Sequence, residues 1–140
     1  MKVFLDTNVL VSAFATRALC EDVFRYGLTE HELLVGEVVL MELRRTLGEK
    51  LGFPKRIVSE IEQLLGERTL VPEPSNLPQI PLRDRDDLRV LASAIAGRAE
   101  VLVTGDRDLL SIAGQSPIPI LDPRGFWAMM REQAPPGSRR

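Results

Sequence analysis

The chain has 140 residues, 44% of them hydrophobic and 27% charged, which is ordinary for a single globular domain. Its net charge of −2 gives no excess of positive charge for tight non-specific binding to nucleic acid. One cysteine excludes an internal disulfide and favours a reducing cytosol, and no apolar run is long enough to span a membrane. We therefore expect a cytoplasmic protein with one domain over residues 1–132 and a flexible tail over 133–140.

Short apolar runs alternate with amphipathic segments along the chain. Strands are predicted at residues 3–5, 33–35, 69–71, 100–104 and 118–121. Helices are predicted over residues 18–26, 37–47, 54–65, 83–97 and 123–132. Apolar strands without alternation are typical of a parallel sheet covered on both faces, and the prolines of the last strand place it at an edge. The pattern predicts an α/β domain with a mainly parallel central sheet.

Acidic residues follow the ends of two predicted strands. Asp6 comes directly after the first strand, and Asp106 and Asp108 follow the strand over 100–104. The carboxyl ends of parallel strands meet at one edge of the sheet, where ligands bind in open α/β folds. The alternative for Asp6 is a turn residue that binds backbone N–H groups. The alternative for Asp106 is the cap of a short helix through Leu110, which accounts for one of these two acids.

Glu42 lies in the helix predicted over 37–47, within the apolar stretch Val38–Leu43. We expect the first turns of this helix to be buried nearly all round. A buried carboxylate needs a hydrogen-bond donor, a positive partner or a metal ion. The alternative is that Glu42 emerges at the helix edge and pairs with Arg44 or Arg45.

Asp87 lies in the first turns of the helix predicted over 83–97. It shares a helix face with Leu91 and Ile95 by the three-and-four spacing, so we expect it on the side that packs on the sheet. Asp84 or Asp86 is the better candidate for the helix cap. Asp87 is therefore not needed for capping.

These acids are expected to converge on one edge of the sheet: Asp6, Glu42, Asp87 and Asp106. Two like charges about 4 Å apart cost ~1 kcal/mol in water and ~4 kcal/mol at an effective dielectric near 20, so the group needs protons or a cation. Ligands that are all oxygen favour Mg²⁺ or Mn²⁺ over zinc. Such ions polarise phosphoryl oxygens and generate hydroxide. The single histidine, His31, lies in a polar stretch and is expected to face solvent.

The motifs at these positions resemble a known family. They are Leu5-Asp6-Thr7-Asn8-Val9, Glu42, Asp86-Asp87 before Leu88, and Val103-Thr104-Gly105-Asp106. Together they resemble PIN domains and, more narrowly, toxin components of prokaryotic toxin–antitoxin systems, over residues 1–127. The resemblance implies a three-layer α/β/α sandwich and a metal-dependent ribonuclease that uses one or two Mg²⁺ or Mn²⁺ ions to cut RNA. It also implies an antitoxin protein that blocks the site, and often a homodimer.

Carried over by position, the resemblance implies an acidic metal site made of Asp6, Glu42, Asp87, Asp106 and, as a further ligand, Asp108. Residues that shape the loops around it are Thr7, Asn8 and Thr104. Arg85 stands where the family more often has proline. That difference leaves open whether Asp86 or Asp87 points into the site, and the helix-face argument favours Asp87.

Arginines near these acids are candidates for contacts with RNA phosphates: Arg83, Arg85, Arg89 and Arg107. The alternative for each is a surface ion pair with Asp84 or Asp86.

Two other functions are compatible with the sequence. A phosphatase would use Asp6 as a covalent phosphate acceptor, but such enzymes generally have a second aspartate two residues on, where this chain has Asn8. A non-catalytic module would keep the fold and bind RNA or a protein partner only. Binding of Mg²⁺ or Mn²⁺ without cleavage of RNA would favour the latter.

Overall fold

The computed structural model describes residues 1–15 and 18–133. Within them the strands are β1 Lys2–Leu5, β2 Glu32–Gly36, β3 Thr69–Val71, β4 Val101–Val103 and β5 Ile120–Leu121. The α-helices are α1 Thr7–Phe14, α2 Ala18–Glu30, α3 Glu37–Arg45, α4 Lys55–Gly66, α5 Arg85–Ala96, α6 Arg107–Ser111 and α7 Pro123–Gln133. A π-helix, Thr46–Lys50, continues α3, and a 3₁₀ helix spans Ala113–Gln115. Each predicted strand and helix is confirmed, with small shifts at its ends.

The strands form one sheet in the order β3-β2-β1-β4-β5, and every neighbouring pair is parallel. The predicted α/β sandwich is confirmed, and β5 lies at an edge as its prolines predict. The chain moves outward from β1 to β2 and β3, then returns to place β4 on the other side of β1. This reversal makes the β1–β4 pair the topological switch point, where the strand ends open a crevice suited to ligands.

The register of β1 and β4 positions the residues that follow them. Leu5 lies opposite Val103, so Asp6 and Thr104 come next on two adjacent strands. The residues of β4 are completely buried, as are Val3 and Phe4 of β1, because helices cover both faces of the sheet. This burial fixes the two strand ends in place and gives the crevice a rigid floor.

Residues 72–84 contain no helix or strand, as the prolines predict. The prediction of one domain over 1–132 stays a prediction. The predicted tail over 133–140 lies outside the described residues, apart from Gln133 at the end of α7. No helix in the described ranges is both long enough and apolar enough to cross a membrane.

The prediction that His31 faces solvent is wrong. Its ring is partly buried and lies 5.2 Å from the ring of Tyr26 and 6.3 Å from that of Phe126, between centroids. The helices α2 and α7 contact each other and bring these rings together, a tertiary effect that the polar neighbours of His31 do not reveal. Burial, followed by the nearby N-terminal amine, lowers the pKa of His31.

Candidate active site

Asp6 lies directly after β1 and is only 5% exposed. Its Oδ1 accepts a hydrogen bond from the backbone N–H of Thr7 (2.7 Å), and Oδ2 accepts from Asn8 Nδ2 (3.0 Å) and Thr104 Oγ1 (2.8 Å). The bond from Thr7 caps α1, so the turn role considered for Asp6 is present. Burial raises the pKa of Asp6, although the bonds from Thr104 and Thr7 act to lower it.

Asn8 and Thr104 connect the ends of β1 and β4. Asn8 Oδ1 accepts from the N–H of Gly105 (2.7 Å), and Thr104 Oγ1 accepts from the N–H of Asp106 (3.0 Å). A Cβ at position 105 would lie 3.2 Å from Asn8 Oδ1, so glycine permits this close approach. The network holds the loop that carries Asp106 against the end of β1.

Asp106 caps α6. Its Oδ1 accepts hydrogen bonds from the backbone N–H groups of Asp108 (2.8 Å) and Leu109 (3.2 Å). The capping role considered for Asp106 is therefore confirmed, and it engages one of the two carboxylate oxygens. Asp108 lies in the first turn of the same helix and is exposed.

A close carboxylate group, made of Asp87, Asp106 and Asp108, is present among the described residues. One oxygen of each lies within 4.8 Å of the corresponding oxygens of the other two. Burial raises the pKa of Asp87 to about 7, and the neighbouring carboxylates of Asp106, Asp84, Asp6 and Asp108 contribute to the rise. No described residue donates a hydrogen bond to the Asp87 side chain. Such a carboxylate is stabilised by a proton or a cation, and a set of oxygen ligands suits a hard divalent ion.

The structure distinguishes the environments of Asp86 and Asp87. The Asp86 side chain is 71% exposed and accepts a hydrogen bond from Arg89 at 3.2 Å, whereas Asp87 is half-buried beside Asp106 and Asp108. Asp84 is the helix cap and accepts from the N–H of Asp86 at 2.8 Å. These positions agree with the helix-face argument for Asp87.

The expected burial of Glu42 is wrong. Glu42 is exposed and Met41 is 56% exposed, because the buried face of α3 is narrow and consists of Val38, Val39 and Leu43. The alternative, an ion pair of Glu42 with Arg44 or Arg45, is also absent. Among the described residues, Arg44 pairs with Glu62 at 2.9 Å and Arg45 pairs with no acid. Glu42 Oε2 instead accepts a hydrogen bond from Thr7 Oγ1 at 3.3 Å, next to Asp6.

These side chains line a cleft of about 440 Å³, which we call the acidic cleft. Six carboxylates contribute to its wall: Asp6, Glu42, Asp84, Asp86, Asp87 and Asp106. No lysine, arginine or histidine within the described ranges lines it. Among the described residues only Arg89, through its ion pair with Asp86, neutralises part of the wall. A divalent cation therefore fits the site both by charge and by ligand type.

The arginines predicted to contact RNA have different surroundings. Arg89 forms ion pairs with Glu73 (2.6 Å) and Asp86 (3.2 Å), so the alternative of a surface ion pair applies to it. The others are exposed and form no ion pair within the described part of the chain: Arg83, Arg85 and Arg107.

The sequence reasoning missed two contributors to the acidic cleft. Asp84 is expected from the sequence as a helix cap or as an ion-pair partner of the arginines, yet it lines the cleft and contributes to the raised pKa of Asp87. Its spacing of three residues from Asp87 was a usable signal. Thr46 lines the cleft as well, from the π-helix, for which the sequence carries no signal.

Comparisons with known proteins agree with this architecture. A family model described as PIN domain matches residues 2–108. No curated protein matches the chain.

Several solved structures share the fold. A toxin–antitoxin complex from Klebsiella pneumoniae is 17% identical, covers 86% of this chain and 97% of its own, and has a TM-score of 0.65. VapBC-1 from nontypeable Haemophilus influenzae is 19% identical over 89% of this chain and 99% of its own, with a TM-score of 0.61. VapBC2 from Rickettsia felis, bound to a promoter DNA fragment, is 15% identical, covers 87% of this chain and 98% of its own, and has a TM-score of 0.60. Since the family model spans most of the sequence and the solved structures share its fold, the chain belongs to the PIN-domain family.

Proposed function

We propose that this protein is a Mg²⁺- or Mn²⁺-dependent ribonuclease and the toxin of a toxin–antitoxin pair. One observation carries the proposal: the carboxylates of Asp87, Asp106 and Asp108 lie close together at the switch point of the sheet, and the first two line the acidic cleft. Burial and then the neighbouring carboxylates raise the pKa of Asp87, and one or two hard cations would offset the repulsion within this group.

Each acid has a distinct part in the proposed site. Asp87, Asp106 and Asp108 would hold the ion, and Asp6 and Glu42 contribute further carboxylates to the wall of the cleft. Asp106 can cap α6 with Oδ1 and offer its other oxygen as a ligand. When bound, Mg²⁺ or Mn²⁺ supplies Lewis acidity and lowers the pKa of water. In the proposed hydrolysis, water adds to phosphorus while the bond to the 3′ oxygen breaks, which leaves a 5′-phosphate and a 3′-hydroxyl.

A phosphatase that uses Asp6 as nucleophile is less well supported. Both oxygens of Asp6 accept hydrogen bonds, from Thr7, Asn8 and Thr104, and the side chain is almost fully buried. A nucleophilic carboxylate has to reach an incoming phosphoryl group, whereas these bonds hold Asp6 in the wall. The same bonds suit a residue that orders the ends of β1 and β4.

The partner proposal rests on the structures with this fold. The protein from Klebsiella pneumoniae was solved as a toxin–antitoxin complex. We infer that an antitoxin protein binds this chain and blocks the acidic cleft, and that the free toxin forms a homodimer in the cytoplasm, where its RNA substrate lies. The protein encoded by the adjacent gene, co-expressed with this chain, should co-purify with it and inhibit cleavage; light scattering should give the dimer mass.

The decisive experiment is cleavage of end-labelled RNA in Mn²⁺ or Mg²⁺. We expect cleavage by the wild-type protein, loss of cleavage in EDTA, and loss in the Asp106→Asn variant. Asparagine caps helices as well as aspartate does, so this variant keeps α6 while it removes a carboxylate. The products should accept ligation at a 5′-phosphate. Metal binding without cleavage of any tested RNA would contradict the proposed ribonuclease activity and favour a non-catalytic binding module.

A further inference from the structure

A second cleft adjoins the acidic cleft and, unlike it, is lined by positive side chains as well as acids. It has a volume of about 230 Å³, and its positive lining residues are Arg45, Lys50 and Arg89. We call it the basic cleft. Four residues line both clefts, namely Glu42, Thr46, Asp86 and Val90, so the two are neighbouring parts of one depression.

The π-helix brings two of these cations into the same cleft. In an α-helix, residues five apart lie about 140° from one another around the axis, because each residue turns by about 100°. From Thr46 to Lys50 the chain is instead a π-helix, closed by a bond from the N–H of Leu51 to the carbonyl oxygen of Thr46 at 3.0 Å. Its wider turn places residues five apart nearer to one face. Arg45 and Lys50 therefore line one cleft together.

The positive side chains of the basic cleft differ in whether they form ion pairs. Arg89 is paired with Glu73 and Asp86. Arg45 and Lys50 are exposed, and within the described residues neither forms an ion pair, although Glu42 lines the same cleft. Their positive charge is therefore available to an external anion, next to carboxylates that repel anions.

We infer that Arg45 and Lys50 bind backbone phosphates of the RNA strand next to the bond held at the acidic cleft. The inference rests on the proposed ribonuclease function. The basic cleft is smaller than the roughly 300–1,000 Å³ of pockets that enclose small molecules, so a phosphate group of a passing strand fits it better. Continuity with the acidic cleft places Arg45 and Lys50 beside the path of the strand whose bond is cut there. Arg45 and Lys50 thus act as positioning residues that offset the repulsion between the acidic cleft and RNA.

The test is a salt titration of RNA binding. Affinity for a fluorescein-labelled single-stranded RNA is measured by anisotropy in EDTA, where a metal-dependent nuclease leaves the probe intact, over a range of NaCl concentrations. Each phosphate contact to a single strand contributes about 0.7 to the slope of log K against log salt. The slope of log K against log salt is negative, and the double variant Arg45→Gln/Lys50→Gln should make it shallower by about 1.4. It should also weaken binding roughly 25-fold near 0.1 M salt. The control Arg56→Gln removes an exposed arginine of α4 that lines neither cleft and should change neither value.

Cleavage in Mn²⁺ separates this inference from the proposed function. In the double variant we expect KM to rise in step with the lost affinity while kcat stays near the wild-type value. A wild-type protein that neither binds nor cleaves RNA would overturn both proposals. Wild-type cleavage with an unchanged slope and KM in the double variant would overturn this inference alone. So would a double variant that binds RNA normally and loses its complex with the antitoxin, since the basic cleft would then belong to the protein partner.

Discussion

Asp6 and Asp87 both face the acidic cleft, yet their surroundings differ. Asp6 is almost fully buried and accepts hydrogen bonds from three donors of the chain. Asp87 is half-buried, lies beside the carboxylates of Asp106 and Asp108, and has no hydrogen-bond donor among the described residues. The pKa of Asp87 is raised to about 7, first by burial and then by its neighbours.

From this difference we propose a mainly structural role for the carboxylate of Asp6 and a functional role for that of Asp87. The donors around Asp6 compensate for its burial and connect β1 to β4, so removing its charge should disturb folding. Among the described residues, none forms a hydrogen bond or an ion pair with the Asp87 side chain. Removing its charge should therefore relieve repulsion from the neighbouring carboxylates. A carboxylate that destabilises the folded state through its burial and repulsion, and that lies in a cleft, is a candidate for ligand binding.

The largest expected effect is on catalysis. Asp87→Asn should lower the rate of RNA cleavage by about 10²–10³-fold, as expected for loss of a preorganised charged group at a reacting centre. The matched variant Asp86→Asn changes the neighbouring residue, which is mainly exposed, and should cost less than about tenfold. Initial rates in Mn²⁺ compare the two. A larger loss for Asp86→Asn would reverse the assignment made from the helix face.

The next effect is on stability. Asp6→Asn should lower the free energy of unfolding by about 1–3 kcal/mol, because a buried amide NH₂ replaces an acceptor that serves Asn8 and Thr104. Asp87→Asn should leave the metal-free protein as stable as the wild type or more stable. Urea denaturation in EDTA measures both. Equal destabilisation by the two substitutions would remove the distinction between the two acids.

Divalent ions should stabilise the folded chain by binding to the carboxylates of Asp87, Asp106 and Asp108. At ten times its Kd, an ion that binds only the folded state adds about 1.4 kcal/mol to the free energy of unfolding. Thermal denaturation with and without Mn²⁺ should show this gain for the wild type and a much smaller one for Asp87→Asn. An equal gain in both proteins would place the ion elsewhere.

The last effect is a dependence of stability on pH, which solvent screening of the partly exposed Asp87 side chain reduces. The ordinary pKa of an aspartate is 3.8, and that of Asp87 in the folded chain is about 7. Between these values the folded state holds a proton that the unfolded state has lost, so metal-free stability should fall as pH rises from about 4 to 7. The raised pKa of Asp6 acts in the same direction. Subtracting the denaturation profile of Asp87→Asn from that of the wild type isolates the contribution of Asp87.

Most strand and helix positions were predictable because they depend on local sequence, although helix α1 was not predicted. The apolar runs of β1 and β4 mark buried parallel strands, and the acid-rich start and glycine end of α5 mark its limits. The exposure of Glu42 and the partial burial of His31 were not predictable. Both depend on which helix face meets the rest of the fold, and residues distant in sequence decide that. The sequence also carries no signal for the π-helix after Arg45.

The sequence by itself determined that acids follow β1 and β4 and begin α5, since strand ends and helix caps are local features. Only the tertiary structure decided which of those acids meet. The return of the chain to place β4 beside β1 brings Asp106 and Asp108 to Asp87. The donors Asn8 and Thr104 satisfy Asp6 within the wall. Residue type determines where the carboxyl groups stand along the chain. Their protonation and the compensation of their charge depend on burial and on neighbours within a few ångströms, which only the folded chain supplies.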